Sequence, residues 1–337
     1  MTGERNMTRY WCSTLLLAAA MSLHGGAAAA PPAVAAPGPD DPRTVAWIDP
    51  GKPLDIYPKN RILLQVGQDG EGRNIQRDLT TFPEPGYRDP NTSEFTVMRT
   101  ADPARAEGKA FRHRIFEGMS YRQDSGGGKP YQSARAAIMS AWSATSPFVL
   151  RDGVPYWAAF ALYVGSDHPF DGSGDHISIL GLGHAVGSRN VQGMHKLDLR
   201  KDGKLRFWVN ANAVLDGTDA TRTGSVFDFP VQKGAWNYIV IQWKYEWDEA
   251  KGPYTRLWRA VGNGAPVQIV DTGIPNAFRE TAGLHPWKFG LYMWDVKKGW
   301  GSSPTRTIYS KGLYIFKDEP GTPTLDPNVL VALLRSI

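Results

Sequence analysis

In the stretch Trp287-Lys288-Phe289-Gly290-Leu291-Tyr292, a lysine, a glycine and a tyrosine fall at alternate positions. Residues two apart on a β-strand share a face, so Lys288 and Tyr292 would stand on either side of a glycine with room between them. An ammonium and a phenol that close can neutralise an acid group and move a proton. The bland alternative is a lysine and a tyrosine on the solvent side of a packed strand. A second alternation runs from Ala110 to Phe116, with Arg112 and Arg114 on one face and Phe111, His113 and Ile115 on the other. That gives one cationic face, which by default is simply a solvated one. A third group is acidic: Glu246 and Asp248 share a face, with Glu249 beside them, as a sandwich-fold glycosidase would need. The chain then runs straight into Ala250-Lys251-Gly252-Pro253, which reads as a hairpin tip. His168 and His176 sit around an aspartate-containing loop between Asp167 and Asp175, which reads as a polar turn, so no metal is expected. Most of the 12 tryptophans are expected in the core, while Trp294 and Trp300, beside Lys297-Lys298, are placed to stack on sugar rings.

The signatures of the commoner enzymes are missing. There is no Gly-x-Ser-x-Gly elbow, P-loop, dinucleotide fingerprint or His-Glu-x-x-His helix. The 337 residues are 42% hydrophobic and 21% charged, with 36 Gly and 25 Pro, a loop-rich globular composition that excludes collagen, coiled coil and wholesale disorder. A net charge of +5 without long basic runs favours polyanions mildly and does not indicate nucleic acid. The elements that must hold the chemistry are short strands rich in β-branched and aromatic residues. They are expected over Phe95 to Met98, Ala110 to Phe116, Tyr156 to Val164, His176 to Leu182, Leu205 to Asn210, Trp236 to Trp247, Tyr254 to Ala260, Lys288 to Trp294 and Lys311 to Phe316. Asp152-Gly153, Asp171-Gly172, Asp202-Gly203 and Gly262-Asn263-Gly264 supply turns. The fold class is therefore all-β, a sandwich or jelly roll, with one short helix expected near Asn328 to Ser336.

The N-terminus reads as a targeting segment. Arg5 and Arg9, the apolar run Trp11 to Leu23 and the small residues Gly25 to Ala30 have the layout of a secretory signal peptide, with cleavage expected near Ala30 or Ala36. The run is well short of the roughly 20 apolar residues that span a bilayer, so no membrane insertion is expected after cleavage. Cys12, the one cysteine, would leave with it, and the exported chain would then hold neither disulfides nor thiolate sites. The expected organisation is a signal peptide over 1–30, a flexible Pro/Ala-rich leader over 31–44, a β-jelly roll over 45–320 and a C-terminal extension over 321–337. The expected location is secreted or periplasmic.

Taken in order, these segments resemble the jelly-roll polysaccharide lyases of the heparin lyase I, glucuronan lyase and alginate lyase type. Lys288-Phe289-Gly290-Leu291-Tyr292 is similar to the Lys-x-Gly-x-Tyr strand of that family, Leu182-Gly183-His184 to its Gln-x-His strand, and Arg135-Ala136-Ala137-Ile138 to its Arg-x-Glu-(Leu/Ile) strand. The flanking segments Asp102-Pro103, Lys109 to Ile115, Tyr156 to Phe160 and Gly234-Ala235-Trp236-Asn237 agree in order, and the resemblance covers roughly Val45 to Asp318. It implies a concanavalin-like β-jelly-roll sandwich of two antiparallel sheets and a lyase that cleaves an anionic, uronate-containing polysaccharide by β-elimination, without metal or other cofactor. Tyr292 and His184 would be catalytic, and Arg135 and Lys288 would neutralise the substrate carboxylate. Arg112, Arg114, Gln132 and Trp294 would line the groove. The expected partner is the anionic polysaccharide, and a monomer is expected. The chain departs from the pattern at Leu182, where the family has glutamine, and at Ala137, where it has glutamate; Gln132, Gln65 and Gln68 are the side chains that could compensate. A non-catalytic glycan-binding protein on the same scaffold is the second reading, and a glycoside hydrolase the third.

Overall fold

The computed structural model describes residues 37–52, 62–68, 74–126, 129–140, 148–171, 176–183, 193–281, 283–298, 300–322 and 325–337. The expected signal peptide with Cys12, and His184, lie outside the described residues. In chain order the strands are β1 (Thr44–Ile48), β2 (Ile62–Gln68), β3 (Asn74–Asp78), β4 (Gly86–Arg88), β5 (Phe95–Ala101), β6 (Lys109–Phe116), β7 (Arg122–Gly126), β8 (Lys129–Ser140), β9 (Leu150–Arg151) and β10 (Pro155–Val164). They continue as β11 (His176–Leu182), β12 (His195–Arg200), β13 (Lys204–Ala211), β14 (Thr223–Pro230), β15 (Trp236–Lys244), β16 (Tyr254–Val261), β17 (Val267–Thr272), β18 (Leu284–His285), β19 (Lys288–Met293) and β20 (Thr305–Lys317). One α-helix, α1 (Pro327–Arg335), follows.

The strands form two large antiparallel sheets. One runs β17-β16-β15-β10-β20-β6-β5-β4, with β1 added against β20; the other runs β14-β13-β12-β11-β19-β8-β2-β3, with β7 added against β8. This is the all-β jelly-roll sandwich that the pattern of strands and turns predicts. The inward side chains of both sheets make one core, with Phe111, Ile115, Phe160 and Ile241 from the first sheet against Ala136, Ile138, Leu197, Phe207, Phe289 and Leu291 from the second. His113 spans the gap between them: one ring nitrogen, Nδ1, lies 2.9 Å from the Ala136 carbonyl of β8 and the other, Nε2, 2.9 Å from Ser310 Oγ of β20. Its burial pushes its pKa down to about 4, so the bridging ring is neutral.

The first sheet is covered on its other side too. There Trp157, Ala159, Ala161, Trp236, Tyr238, Tyr314 and Phe316 pack with Leu330, Val331 and Leu334 of α1. Asp326 caps that helix by accepting from the Asn328 and Val329 amides, and Pro327 opens its first turn. Strands covered on both faces need no polar alternation, and this is why Tyr156 to Leu162 and Tyr238 to Ile241 read as unbroken apolar runs. The outer face of the second sheet has no such cover among the described residues, and its outward positions are mostly polar, with Met139, Trp208 and Val226 as exceptions.

Candidate active site

On the second sheet, strand register brings outward side chains from six strands into one row. Arg135 of β8 stands opposite Tyr292 of β19, Tyr292 opposite Ser178 of β11, Ser178 opposite Asp198 of β12, Asp198 opposite Arg206 of β13, and Arg206 opposite Asp228 of β14. With strands about 4.8 Å apart, the row runs roughly 24 Å across the sheet. A second row beside it holds Met139, Lys288, Gly181, Lys196 and Trp208. Between Arg135 and Lys288 the paired residues are Ala137 and Gly290, so no long side chain rises in the space that these cations and Tyr292 enclose.

The contacts within the rows are specific. The Arg135 guanidinium lies over the Tyr292 ring, 4.1 Å from its centroid, a cation–π contact. Its Nη1 donates to Gln65 Oε1 at 2.9 Å and its Nε to Ser133 Oγ at 3.1 Å, and both Arg135 and Gln65 are buried. Gln65 sits in β2 directly opposite Ala137. It therefore supplies an acceptor for the arginine next to the position where the family pattern has glutamate. Three strands along the same row, Asp198 is fully buried and takes three donors: Ser178 Oγ at 2.7 Å, Trp208 Nε1 at 2.7 Å and Lys196 Nζ at 3.1 Å. A buried carboxylate keeps its charge only with such partners. Arg206 and Asp228 close the row with two bonds of 2.7 Å.

Gly290 has a stricter reason to be glycine than space for a ligand. Its φ is 140°, and a Cβ there would meet the Ala136 carbonyl oxygen at 2.3 Å, Ala137 Cα at 2.6 Å and His113 Nδ1 at 2.9 Å. Glycine lets β19 lie against β8 and the bridging histidine, and this sets Tyr292 opposite Arg135.

The predicted site residues separate into three groups. Arg135, Lys288 and Tyr292 share the outer face of the second sheet. Trp294 follows β19 at the next alternate position and is half-buried. Arg112 and Arg114 do not join them. They lie on β6 in the first sheet and, with His113 turned to the core, point to that sheet's opposite face. Gln132 is one residue out of phase with Ser133 and Arg135 on β8, and Gln65 rather than Gln132 reaches the arginine. Leu182 is in the core, not at the site: a bulge in β11 between Ser178 and Leu180 inverts the alternation, turning Leu180 and Leu182 inward and Ser178 and Gly181 outward. Trp300 is likewise a core residue and not a stacking surface. At the other end of β15, Asp248 caps a short turn, Glu249–Lys251, and accepts from the Ala250 amide, as a hairpin tip does. Glu246 is buried, and burial raises its pKa.

Ser178, Lys196, Asp198, Trp208 and Arg206 are the residues that sequence reading missed. The signal for β12 and β13 was the alternation Lys196, Asp198, Arg200 against Leu197, Leu199, and Arg206, Trp208 against Leu205, Phe207.

Residues 92–313 match the model of the family described as "Polysaccharide lyase". The chain belongs to that family. It is thus a polysaccharide lyase, and the outer face of the second sheet carries the residues that its Lys-x-Gly-x-Tyr and arginine motifs pick out. No curated protein matches the chain. Among solved structures, it is similar to the endo-β-1,4-glucuronan lyase of the fungus Trichoderma reesei, with 12% identity over 76% of this chain and 95% of that one and a TM-score of 0.49. It is also similar to the PL-14 alginate lyase of Aplysia kurodai, at 14% identity over 77% of this chain and 100% of that one, TM-score 0.44. For alginate lyase PA1167 of Pseudomonas aeruginosa the values are 17%, 77% and 99%, with a TM-score of 0.46. Family membership rests on the match over 92–313. Among the described residues no group of three or more His, Cys, Asp or Glu is placed to hold a metal ion.

Proposed function

We propose that this polysaccharide lyase is exported to the periplasm or the medium and cleaves a uronate-containing glycan by β-elimination, with protein cations rather than a metal neutralising the substrate carboxylate. The observation that carries the reading is Arg135 laid over the Tyr292 ring, with Lys288 on the same face of the same strand as Tyr292. In a uronate, the C5 proton becomes acidic only when the neighbouring carboxylate is neutralised. Arg135, braced by Gln65, and Lys288 supply that charge from two sides of the small-residue hollow over Ala137 and Gly290. Fixed charges placed where negative charge develops act without reorganising during the reaction.

The bond changes follow from that placement. A base takes the C5 proton, the C5–H electron pair becomes the C4=C5 double bond, and the C4–O4 bond breaks as Tyr292 gives its phenolic proton to the departing oxygen. Tyr292 is the first candidate for that base, as a phenolate that receives the C5 proton and passes it to O4. His184, outside the described residues, is the second candidate for base or carboxylate contact, following β11 by two residues. Trp294 offers the next surface along the same face. Positioned acid–base groups of this kind typically contribute about 10²–10⁴-fold.

The test uses purified mature protein, pretreated with a chelator, on alginate, glucuronan, heparin, heparan and chondroitin. The expected product carries an unsaturated uronate at its new non-reducing end and absorbs in the ultraviolet. Cleavage that yields only saturated ends, or activity that the chelator abolishes and added metal restores, contradicts the proposal.

A further inference from the structure

The two arginines that do not join the groove pair in register with residues that line a cavity on the other side of the molecule. On the outer face of the first sheet, Arg112 stands opposite Tyr309 and Arg114 opposite Thr307, both on β20. Thr307 and Tyr309 line a cavity of about 360 Å³ together with His168, Ser302, Ser303 and Thr305. Its walls are held by Arg306, almost fully buried, which donates to the carbonyls of Ser303 at 2.7 Å, Asp171 at 2.8 Å and Trp300. Lys233 fixes the opposite wall through the His168 carbonyl at 2.8 Å.

Two polar groups here lack the partners that burial normally demands. His168 is 5% exposed and its Nδ1 lies 3.1 Å from the Thr307 carbonyl. A carbonyl can only accept, so Nδ1 carries the proton and Nε2 is a bare acceptor, and that Nε2 is buried without a hydrogen bond. Arg112 is half-buried and forms no hydrogen bond or ion pair with the described residues, and its Nε is also buried without a partner. Of the nearby carboxylates, Glu94 acts on it only through space, being bonded to Arg114, and Asp167 is exposed at the cavity's edge. A half-buried guanidinium with no hydrogen-bond acceptor of its own is uncommon in finished folds.

We propose that this cavity and Arg112 form a secondary binding site for a sugar acid unit of an anionic polysaccharide, on the face opposite the catalytic groove. Inorganic sulfate would satisfy Arg112 but offers His168 Nε2 no donor. A uronate or sulfated sugar brings both: an oxyanion for the guanidinium, and hydroxyl groups for the histidine nitrogen and for the Ser303, Thr305 and Thr307 hydroxyls. Tyr309, with Tyr163 at 5.9 Å between ring centroids, supplies an aromatic edge beside the cation. The site would hold a long chain while its other part is cut.

The test is calorimetric titration of a chondroitin sulfate hexasaccharide, with inorganic sulfate as a separate titrant, into Tyr292→Phe protein and into the same protein carrying Arg112→Gln, Thr307→Val or Arg135→Gln. Thr307→Val keeps the backbone carbonyl that holds His168 and changes only the hydroxyl, so it guards against loss of fold, as does the melting temperature of each variant. The expected result is hexasaccharide binding that survives Arg135→Gln and weakens roughly tenfold or more with Arg112→Gln, and measurably with Thr307→Val. Binding unchanged by both Arg112→Gln and Thr307→Val overturns the proposal. So does sulfate binding that depends on Arg112 alongside hexasaccharide binding that does not. Because Tyr292 is disabled throughout, failure of the elimination chemistry would leave this result unaffected.

Discussion

Gln65 and Gly290 do different kinds of work for the same two catalytic candidates. Gln65 gives the Arg135 guanidinium a neutral acceptor, which fixes its position without cancelling its charge. Gln65→Ala removes that acceptor from a buried arginine and is expected to lower kcat/KM by roughly tenfold or more, from a lost charge-assisted bond of about 1.5–3 kcal/mol. Steady-state kinetics beside an unchanged melting temperature would separate positioning from folding. Gly290→Ala should act on stability instead. Its new methyl would press on the β8 backbone at a φ of 140°, for an expected cost of about 2–4 kcal/mol, read from denaturant unfolding. At this scale the sequence was legible where a residue's role follows from its own strand: Lys288, Gly290 and Tyr292 alternate as read. Leu182 was not legible in the same way, because its orientation depends on a bulge several residues earlier. Its apolar alternation with Leu180 was the available sign, against Gly181 and Gly183.

At the level of the element, register is what turns scattered residues into a site. Arg135, Tyr292, Ser178 and Asp198 lie far apart in the chain and meet because β8, β19, β11 and β12 are neighbours in one sheet. No local pattern announces that order. The same limit explains Arg112 and Arg114: their shared face was correctly read from alternation, but which sheet β6 would join is settled by its pairing with β5 and β20. Asp198 is the central fastener of the row. Asp198→Ala would strand Lys196, Ser178 and Trp208 donors that now converge on one buried carboxylate, and is expected to cost about 3–5 kcal/mol by chemical denaturation. A loss within experimental error would mean that water replaces the carboxylate and that the row is not fixed by it.

For the molecule as a whole, the sandwich buries ionisable rings in their neutral forms, and this sets its pH range. His113 and His168 are pushed down to about 4 and His195 to about 3, in each case chiefly by burial. Each unfolded histidine titrates near 6.5, so below that pH the unfolded chain binds protons that the folded chain refuses. Stability is therefore full above about 6.5 and falls as the pH drops towards 4, by about 1.4 kcal/mol per pH unit for each histidine within its window. On the alkaline side Tyr156 and Tyr254 are pushed up to about 12 by burial, so the unfolded tyrosines ionise first and stability declines as the pH rises above about 10. Melting temperatures across pH 4–11 should form a plateau between these limits, and a flat profile from 6.5 to 4 would contradict the neutral burial of the histidines.

The account depends most on Tyr292 as the residue that completes elimination beside Arg135. The direct measurement is the ultraviolet absorbance of unsaturated product over time, on whichever polysaccharide the wild-type protein cleaves, with wild-type and Tyr292→Phe proteins compared at equal concentration and equal melting temperature. Loss of at least about 10²-fold in kcat with substrate binding retained is the predicted result. A Tyr292→Phe protein that generates the same chromophore at close to the wild-type rate would contradict it and move the chemistry away from this row of side chains.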